Sequence, residues 1–146
     1  MVRQSWSIHR MTDSSQTTWT DALLTGESVI DDQHRSLFDL LDQLRVAAAE
    51  QRTMLAAYAI TRLKHYVREH FDTEEAVMRK CHYPKLAEHL AEHEKFRTKL
   101  AEFQNKAVVL DISAEMVDFL IDWLVNHVTK SDMRFVPYLK KAQQTV

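Results

Sequence analysis

A chain of 146 residues with one glycine and two prolines has few means of turning sharply. Hairpins and tight turns consume glycine for left-handed backbone and proline for preset φ, so this scarcity selects long helices with few connections. Four stretches carry residues at the three-and-four spacing of one helix face. The first runs from about Asp32 to Glu50 through His34, Leu37, Leu41, Leu44 and Ala48. The second runs from about Arg52 to Met78 through Leu55, Ala59, Leu63, Tyr66, His70, Glu74 and Val77. Pro84, suited to a first helical turn, opens the third, which continues through His89, His93, Phe96, Leu100, Phe103 and Ala107. The segment "LDIS" breaks the pattern. Ser113 then reads as an N-cap with Glu115 in the first turn, and Met116, Leu120, Trp123 and His127 follow.

The stripes average about 3.5 residues, the seam of antiparallel helices. With short links this predicts an all-α, up-down-up-down four-helix bundle over residues 17–146. An arm precedes it from Trp19 to Asp32, with Gly26 at a turn, and residues 1–16 read as a flexible tail in which either Met1 or Met11 is the start. Beyond Asp132 the pattern allows a short terminal helix, limited by Pro137, which disfavours helix at Val136.

Composition narrows the function classes. The formal net charge is −2 and no basic block or stripe occurs, which argues against nucleic acid as a partner. No apolar run approaches the ~20 residues of a membrane span. A single cysteine, Cys81, allows no internal disulfide framework. With no stretch resembling a signal peptide, the expected location is the cytoplasm.

The histidines are where the stripes become unusual. His34, His70, Glu74, His89, His93 and His127 all lie on faces that should carry leucine. One buried histidine is ordinary, but six polar groups on four converging stripes cost several kcal/mol without strong partners. Histidines and carboxylates projecting inward from facing helices are the materials of a metal site in a bundle core. Such a set suits iron, zinc or manganese. Without clustered cysteines, an iron–sulfur cluster or thiolate zinc site is disfavoured, and a haem would use only one or two of these side chains. Asp132 belongs with the set only conditionally. Five residues after His127, it lies about 140° off that face in a regular α-helix. A π-type turn or a helix end there would bring it back. His9, His65 and His82 read as surface residues, and Glu75, Glu88, Glu92 and Glu94 as solvated helix face.

A histidine on the first helix, "HFDTE" on the second, "HLAEH" on the third and "HVTKSD" on the fourth resemble the ligand signature of the hemerythrins. Trp19 and "IDDQH" resemble that family's approach to its first ligand, so the resemblance spans about residues 17 to 140. In length the chain looks most like a single-domain bacterial hemerythrin. The resemblance implies two non-haem iron ions, one on His89, His93 and His127 and the other on His34 and His70. Glu74, Asp132 and an oxide or hydroxide would bridge them. Two six-coordinate irons then lack one ligand, on the side with two histidines, and in the family that vacancy takes up dioxygen reversibly. Reversibility needs a dry apolar pocket, for which Leu37, Leu124 and Val128 are candidates, with plain core packing the competing reading. Phe71 and Trp123 read as packing around the site.

The function so implied is oxygen storage, transport or delivery by a protein that is not an enzyme. A sensor or reductase acting on oxygen, nitric oxide or peroxide at the same site is the alternative, and iron storage a third. Di-iron oxidases in bundles use more carboxylates, in Glu-x-x-His pairs, so five imidazoles with two carboxylates favour reversible binding. The protein partner that would consume the oxygen is not written in the sequence.

Overall fold

The structure, a computed structural model, describes residues 18–145, so the tail and the choice of starting methionine lie outside the described residues. Helices α1 (Ser28–Ala49), α2 (Thr53–Lys80), α3 (Leu86–Val108) and α4 (Ala114–Asn126) form the expected antiparallel bundle. After a π-helical stretch (His127–Ser131) and a 3-10 turn (Asp132–Arg134), α5 (Val136–Gln144) closes one end. Helix α1 packs on α2 and α4, and α2 on α3. Between α3 and α4 the contact is aromatic, through Phe96 on Trp123 and Phe103 on Phe119. No helix among the described residues is long and apolar enough to cross a membrane.

Helix α1 begins four residues earlier than the stripe predicts. The cause is Asp31, whose buried carboxylate accepts from the Thr25 N–H and hydroxyl, both at 2.8 Å, and from the Gly26 N–H at 3.3 Å. These bonds pin the arm across the first turn, and Gly26, at φ +89°, makes the bend. At α4 the expected cap is present: Ser113 Oγ accepts from the Met116 N–H at 3.2 Å. Pro84 sits in the turn before α3 and not in its first turn. Pro137 also departs from expectation. It lies in the first turn of α5, where a missing N–H costs nothing, and Val136 is the first helical residue. On α2 the stripe is shifted at its start, with Ala56 buried and Leu55 exposed.

The three links between the bundle helices are made without glycine. Gln51, His82 and Leu110 adopt left-handed backbone at φ 56°, 54° and 57°. After each, an N–H reaches back five residues: Arg52 to Ala47 at 2.8 Å, Tyr83 to Met78 at 3.0 Å, and Asp111 to Lys106 at 2.9 Å. This is the Schellman closure, which usually employs glycine. An L-residue in this conformation costs roughly 1–2 kcal/mol.

Two apolar clusters flank a polar layer. The larger fills most of the bundle and includes Leu37, Leu63, Phe71, Phe96, Leu120, Leu124 and Val128. The smaller joins Ile30, Met78, Tyr83, Phe135 and Leu139. Along three elements a candidate site residue falls between the two clusters: His34 between Ile30 and Leu37, Glu74 between Phe71 and Met78, and Asp132 between Val128 and Phe135. The polar layer is therefore sealed on both sides.

Leu110→Gly should stabilise the fold by up to about 1 kcal/mol, because the backbone strain is relieved faster than the unfolded chain gains entropy. Urea unfolding of the two proteins measures this.

Candidate metal centre

Each helix delivers its polar residue by register alone. His70 and Glu74, and His89 and His93, are four apart and share one face of their helices. His34 comes from α1, and His127 opens the π-helical stretch that follows α4. All six are buried, and so is Asp132. The π-helical stretch has the consequence that sequence arithmetic required. The Asp132 N–H bonds the His127 carbonyl five residues back, and Asp132 Oδ1 comes to 2.9 Å from His127 Nε2. Within the widened turn, Thr129 Oγ1 donates to the Val125 carbonyl at 2.7 Å.

The seven side chains form two overlapping groups. Ligand atoms of His89, His93 and His127 with Glu74 and Asp132 lie within 4.8 Å of one another, as do those of His34 and His70 with the same two carboxylates. Each carboxylate divides its oxygens between the groups. Glu74 Oε2 is 3.0 Å from His93 Nε2 and 3.2 Å from His89 Nε2, while Oε1 faces His70 and His34 at 3.9 Å and 4.0 Å. Asp132 Oδ1 faces His127 and His89, the latter at 3.3 Å, and Oδ2 is 3.1 Å from His34 Nε2.

The outer nitrogens settle which way the imidazoles point. A carboxylate only accepts, so His93 Nδ1 donates to Glu75 Oε1 at 2.8 Å and His127 Nδ1 donates to Glu92 Oε2 at 3.1 Å. His70 Nδ1 donates to Gln33 Oε1 at 3.1 Å. The Gln33 amide is itself oriented, its Nε2 donating to Thr73 Oγ1, whose hydroxyl donates to the Glu69 carbonyl. In the neutral form these three rings therefore turn a bare Nε2 lone pair inward. Yet His93 and His127 Nε2 stand 3.0 Å apart, and His34 and His70 Nε2 stand 3.1 Å apart. Glu74 Oε1 and both oxygens of Asp132 accept no aligned hydrogen bond among the described residues, despite the nearby ring nitrogens. Lone pairs converging on shared points in a dry interior are what a cation between them satisfies. The residues fit a pair of metal ions.

Without metal, protons do part of that work. Burial would lower His89, but Asp132 and Glu74 beside it raise it to about 9. His127, also buried, is raised well above its ordinary range by Asp132 and Glu74. Burial dominates at His70 and lowers it to about 4 against the pull of Glu74. Burial would push Asp132 and Glu74 up, yet His127 holds Asp132 well below the usual carboxylate range and His70 does the same for Glu74.

Leu37, Leu124 and Val128, the expected pocket, are fully buried in the larger cluster. Phe71 stacks on the His93 ring at 3.7 Å, and Trp123 stacks on His127 at 4.6 Å. Trp19 packs 6.2 Å from His34 and 6.0 Å from Phe38, so the arm covers this corner. His65 and His82 are exposed, whereas His9 lies outside the described residues. Two of the four acidic residues expected on solvated helix faces turn inward instead. Glu88 and Glu94 are exposed, but Glu75 is buried and Glu92 half-buried, each on an imidazole. Gln33, outside every apolar stripe, likewise serves an imidazole, that of His70. All three lie one position from a site residue on their own helix yet serve a histidine of another, which no single-helix pattern displays.

Five imidazoles and two carboxylates thus converge in one sealed layer of a four-helix bundle, the arrangement of a metal-binding helical bundle. A family model described as the hemerythrin HHE cation-binding domain matches residues 25–139. The bacteriohemerythrin of Methylococcus capsulatus is 36% identical over 125 residues, covering 84% of this chain and 95% of that protein. That of Stenotrophomonas maltophilia is 33% identical over 123 residues, covering 84% and 80%. The solved structure of a wild-type hemerythrin aligns at a TM-score of 0.74 and 35% identity, over 84% of this chain and 96% of that one. The chain belongs to the hemerythrin family. Its relatives and its buried cluster together support a hemerythrin-type site for two metal ions.

Because His89 keeps a proton up to about pH 9 in the metal-free protein, a divalent metal must displace it. Metal binding at neutral pH should release protons from His89 and from the likewise raised His127, and affinity should rise with pH through about pH 9. Calorimetric titration in buffers of different ionisation enthalpy reads both effects.

Proposed function

We propose that this protein binds dioxygen reversibly at a non-haem di-iron centre, for storage, transport or delivery, and is not an enzyme. The observation that carries the reading is the division of Glu74 and Asp132 between a three-histidine and a two-histidine group. His89, His93 and His127 would hold one iron, His34 and His70 the other, with the two carboxylates bridging. Two ferrous ions held there would supply the two electrons that uptake of dioxygen takes and its release returns.

The chain's own residues do the rest. Five imidazoles and only two carboxylates leave the cluster nitrogen-rich, which suits electron transfer that reverses. Nδ1 donation to Glu75, Glu92 and Gln33 keeps three rings in the ligating tautomer. Leu37, Leu124 and Val128 are assigned to the oxygen pocket. Being fully buried, they exclude the water and stray protons that would turn reversible uptake into irreversible oxidation.

Iron analysis and anaerobic reduction, followed by cycles of air and vacuum, test the function. Two irons per chain and a visible charge-transfer band that appears in air and vanishes under vacuum are expected. Two irons with immediate irreversible oxidation would replace the carrier with a sensor or reductase, and zinc or no metal would end the di-iron reading. Leu37→Ala should leave iron content unchanged and speed irreversible oxidation several-fold, followed as decay of that band.

A further inference from the structure

The outer nitrogens of His93, His127, His70 and His34 are not treated alike. On the three-histidine side, His93 and His127 each donate to a carboxylate, Glu75 at 2.8 Å and Glu92 at 3.1 Å. On the two-histidine side, His70 donates to the neutral amide of Gln33, and His34 Nδ1 is buried with no partner among the described residues. Glu74 and Asp132 divide their oxygens between the sides, so they contribute to both. The difference between the halves is therefore two anionic partners against one neutral one. A carboxylate behind an imidazole raises its basicity and places negative charge within a few ångströms of the bound cation. Glu75 is further fixed by Arg97 at 3.1 Å, whose guanidinium lies over the Phe71 ring that stacks on His93. The Gln33 amide cannot turn without losing Thr73.

We propose that Glu75, Glu92 and Gln33 make the two metal positions unequal. The His89, His93 and His127 position fills first and holds a divalent metal more tightly, while the His34 and His70 position fills second and loses its metal first. Glu75, Glu92 and Gln33 are positioning residues: they touch no metal and act through the rings they orient. This rests on the reading of the cluster as a two-metal site.

The test is a titration of metal-free protein with cobalt(II) alone, followed by its visible d–d absorption. The wild-type chain should take two equivalents in two resolved steps, the first at least about ten-fold tighter. The double variant E75Q/E92Q keeps the shape and an acceptor for each ring. It should weaken the first step by roughly 10-fold to 100-fold and leave the second nearly unchanged. Q33E should strengthen only the second step. His70→Ala, which should remove only the second step, identifies the steps, and circular dichroism checks the fold of each variant. Two equivalents in one unresolved step, or equal weakening of both steps in E75Q/E92Q, would overturn the ranking and leave the two-metal site standing. Uptake of fewer than two equivalents by the wild-type chain would instead defeat the underlying reading.

Discussion

In their neutral, Nδ1-protonated forms His93 and His127 turn two imidazole lone pairs on each other, 3.0 Å apart in a sealed interior. Their other nitrogens are committed to Glu75 and Glu92, so neither ring can relieve the contact by changing tautomer. The same conflict surrounds Asp132, whose oxygens lie close to three ring nitrogens without an aligned hydrogen bond. Such an arrangement is costly as a core and sensible as a socket. Most other features of the molecule can be understood as holding these groups together against their mutual repulsion.

The backbone does this from both ends. The large apolar cluster lies on one side of the polar layer, and the small one built on Ile30, Met78, Tyr83, Phe135 and Leu139 lies on the other. Helix α5 completes the second cluster through Leu139. The π-helical stretch after α4 places Asp132 opposite His127. Asp31 fastens the arm that carries Trp19 over His34. Removing water from this layer strengthens every electrostatic contact in it and favours a cation over a scatter of protons.

The four stripes, the bundle and the burial of His34, His70, Glu74, His89, His93 and His127 were legible because they depend on spacing within one helix. Asp132 was legible only as an exception: its off-face position in a regular helix demanded a π turn, and the turn is there. Gln33, Glu75 and Glu92 were not legible. Each sits beside a stripe residue, where a polar side chain ordinarily faces water, and its partner lies on a different helix. The short terminal helix was legible, but helix at Val136 was not, because Pro137 disfavours helix before it and yet suits a helix start, and only the packing of α5 chose between them.

Local chemistry written in the chain determined the helices, their antiparallel order and which residues share an inward face, since register on a helix follows directly from residue number. Tertiary structure alone decided how the inward groups meet. It divided each carboxylate between two sets of histidines, and it backed one set with charge and the other with a neutral amide. Those outcomes depend on distances between helices, and such distances are set by how buried side chains fill the space between them, which no single stretch of sequence contains.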